Sequence, residues 1–284
     1  MNYELMTIIR PNDSAWSMQQ KHLTQPDTKL LSISPMPDFQ TVLKKYQVDG
    51  INLLDQLTKR TFDPETFLFF NQIPTVKNAE VFMNENRSIS ILHEGFEIGK
   101  VFLYPQTRRH VKEVRYIHLD KTLDFVEEYA GDGKTYSHIF YDKNQVQEIQ
   151  FLDDEKNAIV TYYFYQGQIN FITIKNPETL DIQTTYTTLQ QFIAHEIARI
   201  VSAEDTVTIS YLGMELFALE HTTSYNILRL VESPLDDNGI IKGNLRLILE
   251  NKLTYVHKVL MTREHYELLK PTGIHLDKID FYEN

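Results

Sequence analysis

The chain contains no cysteine. That absence removes disulfide scaffolds, cysteine-ligated zinc, iron–sulfur clusters and thiol nucleophiles together, and it suits a reducing compartment. Basic residues are in deficit: 28 lysines and arginines face 39 aspartates and glutamates, for a formal charge of −11. General nucleic-acid binding, which needs a basic surplus on one face, is therefore not expected. No apolar run approaches the ~18 residues of a membrane span. The opening Met1-Asn2-Tyr3-Glu4 also lacks the basic start of a signal peptide. These absences together predict a soluble cytoplasmic protein. What the chain does have is 42% hydrophobic residues over a length of 284. A chain of that size buries roughly 75% of its unfolded surface without staples, in one or two domains.

Apolar periodicity changes along the chain and predicts an α/β class. Residues 1–64 read as strand, helix, strand, helix. Tyr3–Arg10 is strand-like, Pro11-Asn12-Asp13-Ser14 breaks it and caps a helix over Trp16–His22, and Leu30–Ser34 is a second strand. Phe39, Val42, Leu43 and Tyr46 then recur at helical spacing after Asp38. Residues 65–176 lose that period. Val111–Leu119, Leu123–Tyr129, Thr135–Tyr141, Val146–Leu152, Ala158–Tyr165 and Ile169–Ile174 are strand-like, and tight polar turns separate them. Such a run is an antiparallel meander, because parallel pairing needs long crossovers. Residues 177–284 return to alternation: a helix over Thr187–Val201, then short strands and helices through Ile279–Tyr282. The expected architecture is a Rossmann-like α/β domain, 1–64 and 177–284, interrupted by an inserted β-meander domain, 65–176.

Most chemical motifs fail on inspection. His195-Glu196-Ile197-Ala198-Arg199 begins like a zinc-protease helix, but Arg199 stands where the second histidine must be. A solvated polar helix face is expected there. Gly131-Asp132-Gly133-Lys134-Thr135 superficially suggests a phosphate loop, yet Glu128 replaces the first glycine and a strand follows instead of a helix. It reads as a hairpin turn. No dinucleotide fingerprint follows the first strand, and no nucleophile elbow occurs. Asp153-Asp154-Glu155 reads as solvated turn surface.

Two stretches remain as binding candidates. Arg108, Arg109 and Lys112, with Lys100 and Arg115 nearby, form a compact basic cluster in an acidic chain. They suit a phosphate, a carboxylate or an acidic partner, or equally serve as edge charges against sheet aggregation. Tyr162, Tyr163 and Tyr165 lie on a strand with Phe164 and offer stacking surfaces for a sugar or an extended polypeptide, unless they are core. Apolar groups fall on both faces of Ala158–Tyr165. The second face therefore meets either a ligand or subunit, or the chain's own elements.

An α/β half split by a β-meander carries further likenesses in Phe69-Phe70-Asn71-Gln72-Ile73-Pro74 and in Pro105-Gln106-Thr107-Arg108-Arg109-His110-Val111-Lys112-Glu113-Val114. Glu232-Ser233-Pro234-Leu235 and Gly243-Asn244-Leu245-Arg246-Leu247-Ile248-Leu249-Glu250 add to them. Over residues 65–284 the chain resembles the N-terminal half of GT-B glycosyltransferases that carry an added sheet. Within these it is most similar to the GtfB-like stabilising subunits of the two-protein O-glycosyltransferase. That enzyme modifies serine-rich repeat adhesins exported by the accessory Sec system.

The resemblance implies a non-catalytic, chaperone-like accessory subunit with no catalytic residue, cofactor or metal. Its implied partners are a GtfA-like catalytic subunit, which transfers N-acetylglucosamine from UDP-N-acetylglucosamine, and a Ser/Thr-rich adhesin polypeptide. A hetero-oligomer follows, with any membrane association peripheral and made through the complex. A full GT-B protein needs a second Rossmann-like half, so 284 residues are not expected to complete a donor site. The alternative implication is the acceptor-binding half of a teichoic-acid-type GT-B enzyme, with Arg108, Arg109 and Lys112 on acceptor phosphates.

Overall fold

The computed structural model describes residues 1–13 and 15–282. It opens with β1 (Asn2–Met6), α1 (Trp16–Leu23), β2 (Thr28–Ser32), α2 (Phe39–Tyr46), β3 (Gly50–Asn52) and α3 (Leu53–Thr58). Strands then follow without an intervening α-helix: β4 (Glu80–Met83), β5 (Ile89–His93), β6 (Phe96–Leu103), β7 (Val111–Ile117) and β8 (Leu123–Tyr129). The series continues through β9 (Thr135–Asp142), β10 (Gln145–Leu152), β11 (Ala158–Tyr165), β12 (Gln168–Lys175) and β13 (Ile182–Tyr186). After it come α4 (Leu189–Ile200), β14 (Thr206–Ile209), α5 (Met214–Ala218), β15 (Tyr225–Arg229), α6 (Gly243–Leu249), β16 (Lys258–Met261), α7 (Arg263–Leu269) and β17 (Ile279–Phe281).

The chain divides into two compact units, 1–34 with 46–53 and 190–284, and 35–45 with 54–189. The division takes 35–45 and 54–64 into the second unit, and β13 extends that unit's sheet past the 176 read from sequence. Pro177 falls in a turn held by Asn176, whose backbone carbonyl accepts the N–H of Leu180. The chain thus reverses there into one more strand instead of leaving the sheet. Ser14, expected to help cap α1, lies outside the described residues; its neighbour Asp13 accepts the Ala15 N–H at 3.2 Å.

The first unit is a seven-stranded sheet in the order β17-β16-β15-β14-β1-β2-β3, parallel at every pairing. Its strands are short apolar runs whose consecutive residues are buried, as in Leu30 and Leu31 of β2, the pattern of a sheet covered on both faces. α4 turns Phe192, Ile193 and Ile197 inward, the i, i+1, i+5 positions of one stripe. The chain leaves β1 to one side and returns through β14 on the other, so the two strands flank a topological switch point.

The second unit is a ten-stranded antiparallel sheet in strict sequence order, β4 to β13. At its β4–β8 side Ile73, Ile89, Ile91, Val101, Val111, Val114 and Tyr129 form one apolar cluster. Coverage varies along the strands. In β11, Ile159, Val160, Thr161 and Tyr162 are buried in succession, whereas Tyr165 at the strand's far end is exposed. β12 pairs with it and repeats the pattern in reverse, with Phe171 exposed and Ile172, Thr173 and Ile174 buried. The sheet is therefore covered on both faces at one end of these strands and open at the other. Among the described residues no helix is long and apolar enough to cross a membrane.

Candidate functional site

Both binding candidates lie in the ten-stranded sheet. The basic stretch is the connection between β6 and β7. Tyr104 anchors it: its hydroxyl donates to the Tyr129 carbonyl at 2.6 Å, and its own carbonyl accepts the N–H groups of Thr107 and Arg108 at 3.2 and 3.0 Å. The Thr107 hydroxyl oxygen accepts the N–H groups of Arg109 and His110 at 3.3 and 3.0 Å. His110 then lies flat on Phe67, with ring centroids 4.5 Å apart. Burial, reinforced by the Arg109 charge, holds its imidazole below the usual histidine range. The loop is therefore pinned at both ends while Arg108 and Arg109 stay exposed.

The expected cation set splits. Lys112 sits 3.5 Å from Glu113, and the Arg115 Nε donates to the same carboxylate at 2.6 Å. Arg115 also lies over the Phe102 ring at 4.3 Å. Glu113 is buried, so it holds two of the cluster's charges, which leaves Arg108 and Arg109 without an acidic partner among the described residues. Arg108 instead joins Arg87 and Lys100 around a cavity of about 730 Å³. Arg87 lies 21 positions upstream, in the β4–β5 turn, so proximity in sequence gave no signal for it.

The aromatic strand also divides. Tyr162 is only 4% exposed and packs edge-on to Phe151 at 5.0 Å. It is an interior residue and presents no ring face for stacking, which corrects the expectation at that position. Tyr163 is half-buried and Tyr165 is 64% exposed. Cross-strand register places Tyr163 in a row that the sequence did not reveal: Phe125 pairs with Phe140, Phe140 with Glu148, Glu148 with Tyr163, and Tyr163 with Phe171. Directly paired residues of an antiparallel sheet share a face. Tyr116 extends the row by stacking on Phe125 at 4.5 Å. At about 4.8 Å per strand, the paired part of the row from Phe125 to Phe171, on five strands, runs roughly 19 Å. Glu148 is the one carboxylate within it.

The failed motifs have structural work. Gly131 and Gly133 form the β8–β9 turn. A Cβ on Gly131 would sit 2.1 Å from the Thr41 hydroxyl, and one on Gly133, at φ +82°, would sit 2.3 Å from the Leu68 nitrogen. These glycines serve close packing. Asp153 and Asp154 are not merely solvated: Asp153 accepts the Asn157 N–H at 2.7 Å, and Asp154 accepts from Thr61 and from Lys134 Nζ at 2.9 Å. Glu196 is likewise buried, contrary to the expected solvated face, and accepts from Arg199 at 2.8 Å. His195 is exposed beside His221, with ring centroids 4.3 Å apart. Among the described residues no group of three or more histidines and carboxylates is placed to hold a metal ion.

At the switch point of the parallel sheet the side chains satisfy one another. The Glu215 carboxylate accepts the Thr7 N–H at 2.8 Å, and Tyr211 donates to Asp13 at 2.6 Å. Burial, together with that bond to Asp13, raises the Tyr211 hydroxyl above its ordinary range.

No model of a known protein family matches the chain, and no curated protein matches it by sequence. Solved structures do match. The mixed α/β architecture, a parallel sheet with a separate ten-stranded antiparallel sheet, is that of GT-B glycosyltransferase structures. More particularly, the chain is similar to accessory secretory protein 1, 2 and 3 from Streptococcus pneumoniae, with a TM-score of 0.77 at 14% identity over 100% of this chain and 62% of that one. It is similar to the pneumococcal O-GlcNAc transferase GtfA in complex with UDP and GlcNAc, with a TM-score of 0.75 at 12% identity over 99% and 59%. It is also similar to a GtfA/B complex bound to UDP and GlcNAc, with a TM-score of 0.73 at 15% identity over 99% and 61%. The chain spans about three fifths of the length of the chains it matches. At these identities the likeness establishes the fold, and it covers a catalytic transferase and accessory complexes alike.

Proposed function

We propose that this chain is a non-catalytic accessory subunit of a protein O-GlcNAc glycosyltransferase. It stabilises the catalytic subunit and helps bind a Ser/Thr-rich acceptor polypeptide. The observation that carries this reading is the open end of the ten-stranded sheet, where Phe125, Phe140, Tyr163 and Phe171 form a cross-strand row. An extended chain laid across the row meets aromatic surface at successive strands, and Glu148 accepts hydrogen bonds from its hydroxyl side chains. The fold, shared with glycosyltransferases and their complexes, supports a place in a glycosylation complex.

The test is co-expression with a GtfA-type transferase, solution mass determination, and transfer of N-acetylglucosamine to a Ser/Thr-rich peptide. The expected result is a stable hetero-complex more active than the catalytic subunit alone, with no transfer by this chain by itself. A Tyr163→Ser/Phe171→Ser variant should keep the complex but bind acceptor at least about tenfold more weakly, some 1.4 kcal/mol. A chain that forms no complex while the catalytic subunit is fully active alone overturns the accessory role. Transfer by the isolated chain overturns the non-catalytic part.

A further inference from the structure

We propose that the cavity between the β4–β5 turn and the β6–β7 connection is a binding site for a small phosphorylated ring compound. It is separate from the aromatic row and independent of the accessory role. Its volume of about 730 Å³ lies within the roughly 300–1,000 Å³ range of ligand pockets.

The lining is selective. Arg87, Lys100 and Arg108 contribute three cations and no acidic residue contributes at all, in a chain where acids outnumber bases 39 to 28. Lys100 approaches a carboxylate only at 4.0 Å, from Glu97. Arg87 and Arg108 have no ion pair among the described residues. Elsewhere in the same unit cations near carboxylates are paired, as Lys134 is to Asp154 at 2.9 Å and Arg115 to Glu113. Three convergent charges with so little internal neutralisation favour a ligand carrying two negative charges, and paired guanidinium groups match phosphate oxygens in a planar, two-bond geometry.

Apart from Ser88 and the Tyr104 hydroxyl, the rest of the wall is apolar. Met83, Leu103 and Pro105 contribute to it; Phe102 is exposed with the Arg115 guanidinium over its ring at 4.3 Å, and the buried Tyr104 is held rigid by its bond to the Tyr129 carbonyl. A bare inorganic anion leaves that surface unused, whereas a sugar or nucleoside ring packs on it. The shared chemistry is a phosphoester beside a ring, whether the source is a sugar phosphate or a nucleotide.

The experiment is calorimetric titration of the purified chain with ribose phosphate, adenosine monophosphate, pyrophosphate, unphosphorylated ribose and an acidic peptide. Ribose phosphate, the nucleotide or both should bind, more weakly as salt rises, and unphosphorylated ribose should not. An Arg87→Gln/Arg108→Gln variant should lose at least about tenfold in affinity. Lys143→Gln, in the β9–β10 turn at the other end of the strands, should lose none. Circular dichroism checks that the double variant is folded; should it unfold, the same loss must appear in an Lys100→Gln variant. The proposal is overturned if no phosphorylated ring compound binds below about 10 mM. It is equally overturned if binding survives removal of the cavity arginines, if pyrophosphate binds better than the ring compounds, or if only the acidic peptide binds.

Discussion

The two units of this chain treat polar groups in opposite ways. In the parallel sheet several buried polar residues are matched to one another, although Glu4 Oε2 and Ser32 Oγ are left without a hydrogen-bond partner among the described residues. Glu4, fully inaccessible, takes a hydrogen bond from Arg229 at 2.7 Å and has the His22 Nδ1 within 2.6 Å. The buried Asn226 side chain donates to the Tyr255 carbonyl and to Thr222 at 2.8 Å and accepts from Ser224 at 2.8 Å. The ten-stranded sheet keeps such order around Asp132 and Asp154, at the covered end of its central strands, but leaves the opposite end of those strands open with aromatic rings facing solvent, and on its β4–β7 side it gathers arginines around a cavity. Buried, paired hydrogen bonding fixes a scaffold, while unmatched aromatic and cationic surface is what remains for recognition. The comparison assigns the scaffold to one unit and, under the proposed function, recognition to the other.

The largest effect that can break this comparison is in the parallel sheet. Arg229→Leu strands the Glu4 carboxylate away from water, and loss of one partner of a buried pair costs about 3–5 kcal/mol. Hydrogen exchange should show protection lost through β1, β14 and β15. A variant as stable as the parent would mean that the interior of this unit is wetter and looser than its contacts describe. The covered end of the other sheet gives the next effect. Gly133→Ala places a Cβ 2.3 Å from the Leu68 nitrogen at φ +82°. Strained left-handed backbone alone costs about 1–3 kcal/mol, and the clash with main chain adds to it. Denaturant titration should show the loss, with exchange concentrated in β8 and β9.

Asp55 supplies a smaller and pH-dependent effect. Burial pushes its carboxyl from the ordinary 3.8 up to about 6, against the opposing pull of Arg60 and a hydrogen bond with Gln40. A raised carboxyl holds its proton more tightly folded than unfolded. The stability it contributes is therefore intact below 3.8 and is lost as pH rises through about 6. Asp55→Asn keeps the shape and removes the titration. It should stabilise the protein near neutral pH by about 1–3 kcal/mol and flatten the fall in stability between those two values, measured by urea unfolding across the range. A variant with an unchanged pH profile would show that Asp55 titrates normally.

Much of this architecture is legible in the sequence, and what is not has identifiable causes. Gly243–Leu249 reads as a helix to the residue, and the meander strands from Val111 onward fall close to their observed limits, because turn signals bound them on both sides. β4 to β6 escape notice since Glu80–Leu103 mixes charges, glycines and aromatics without a clear period. Tyr162 and Tyr163 are adjacent and chemically alike, yet they point to opposite faces of β11, and on the Tyr163 face coverage falls off after the buried Thr161, which no local pattern records. Asp153, Asp154 and Glu196 look solvated in sequence and are structural: Asp153 closes its own turn onto Asn157, Asp154 meets Thr61 and Lys134 from elsewhere in the fold, and Glu196 meets Arg199 on the next helical turn. The cavity is illegible for the same reason: Arg87, Lys100 and Arg108 meet only once the strands pair.

The smallest stability effect is the sharpest test of where recognition lies. Tyr165 is 64% exposed at the open end of β11, and an exposed substitution of this kind changes stability by no more than about 0.5 kcal/mol. Tyr165→Ala should therefore unfold like the parent. If the open end binds an extended acceptor, the same variant should weaken peptide binding by about threefold to tenfold, the range of one aromatic contact worth ~0.5–1.5 kcal/mol. Tyr162→Ala should behave in the reverse sense. It removes an interior ring packed on Phe151, costs about 3–5 kcal/mol of stability, and leaves acceptor affinity unchanged in whatever fraction stays folded. The two tyrosines, three positions apart, thus separate scaffold from surface within one strand. Equal stability losses at both positions would show that the open end is packed in solution, and the division between a rigid unit and a recognising one would then have to be redrawn.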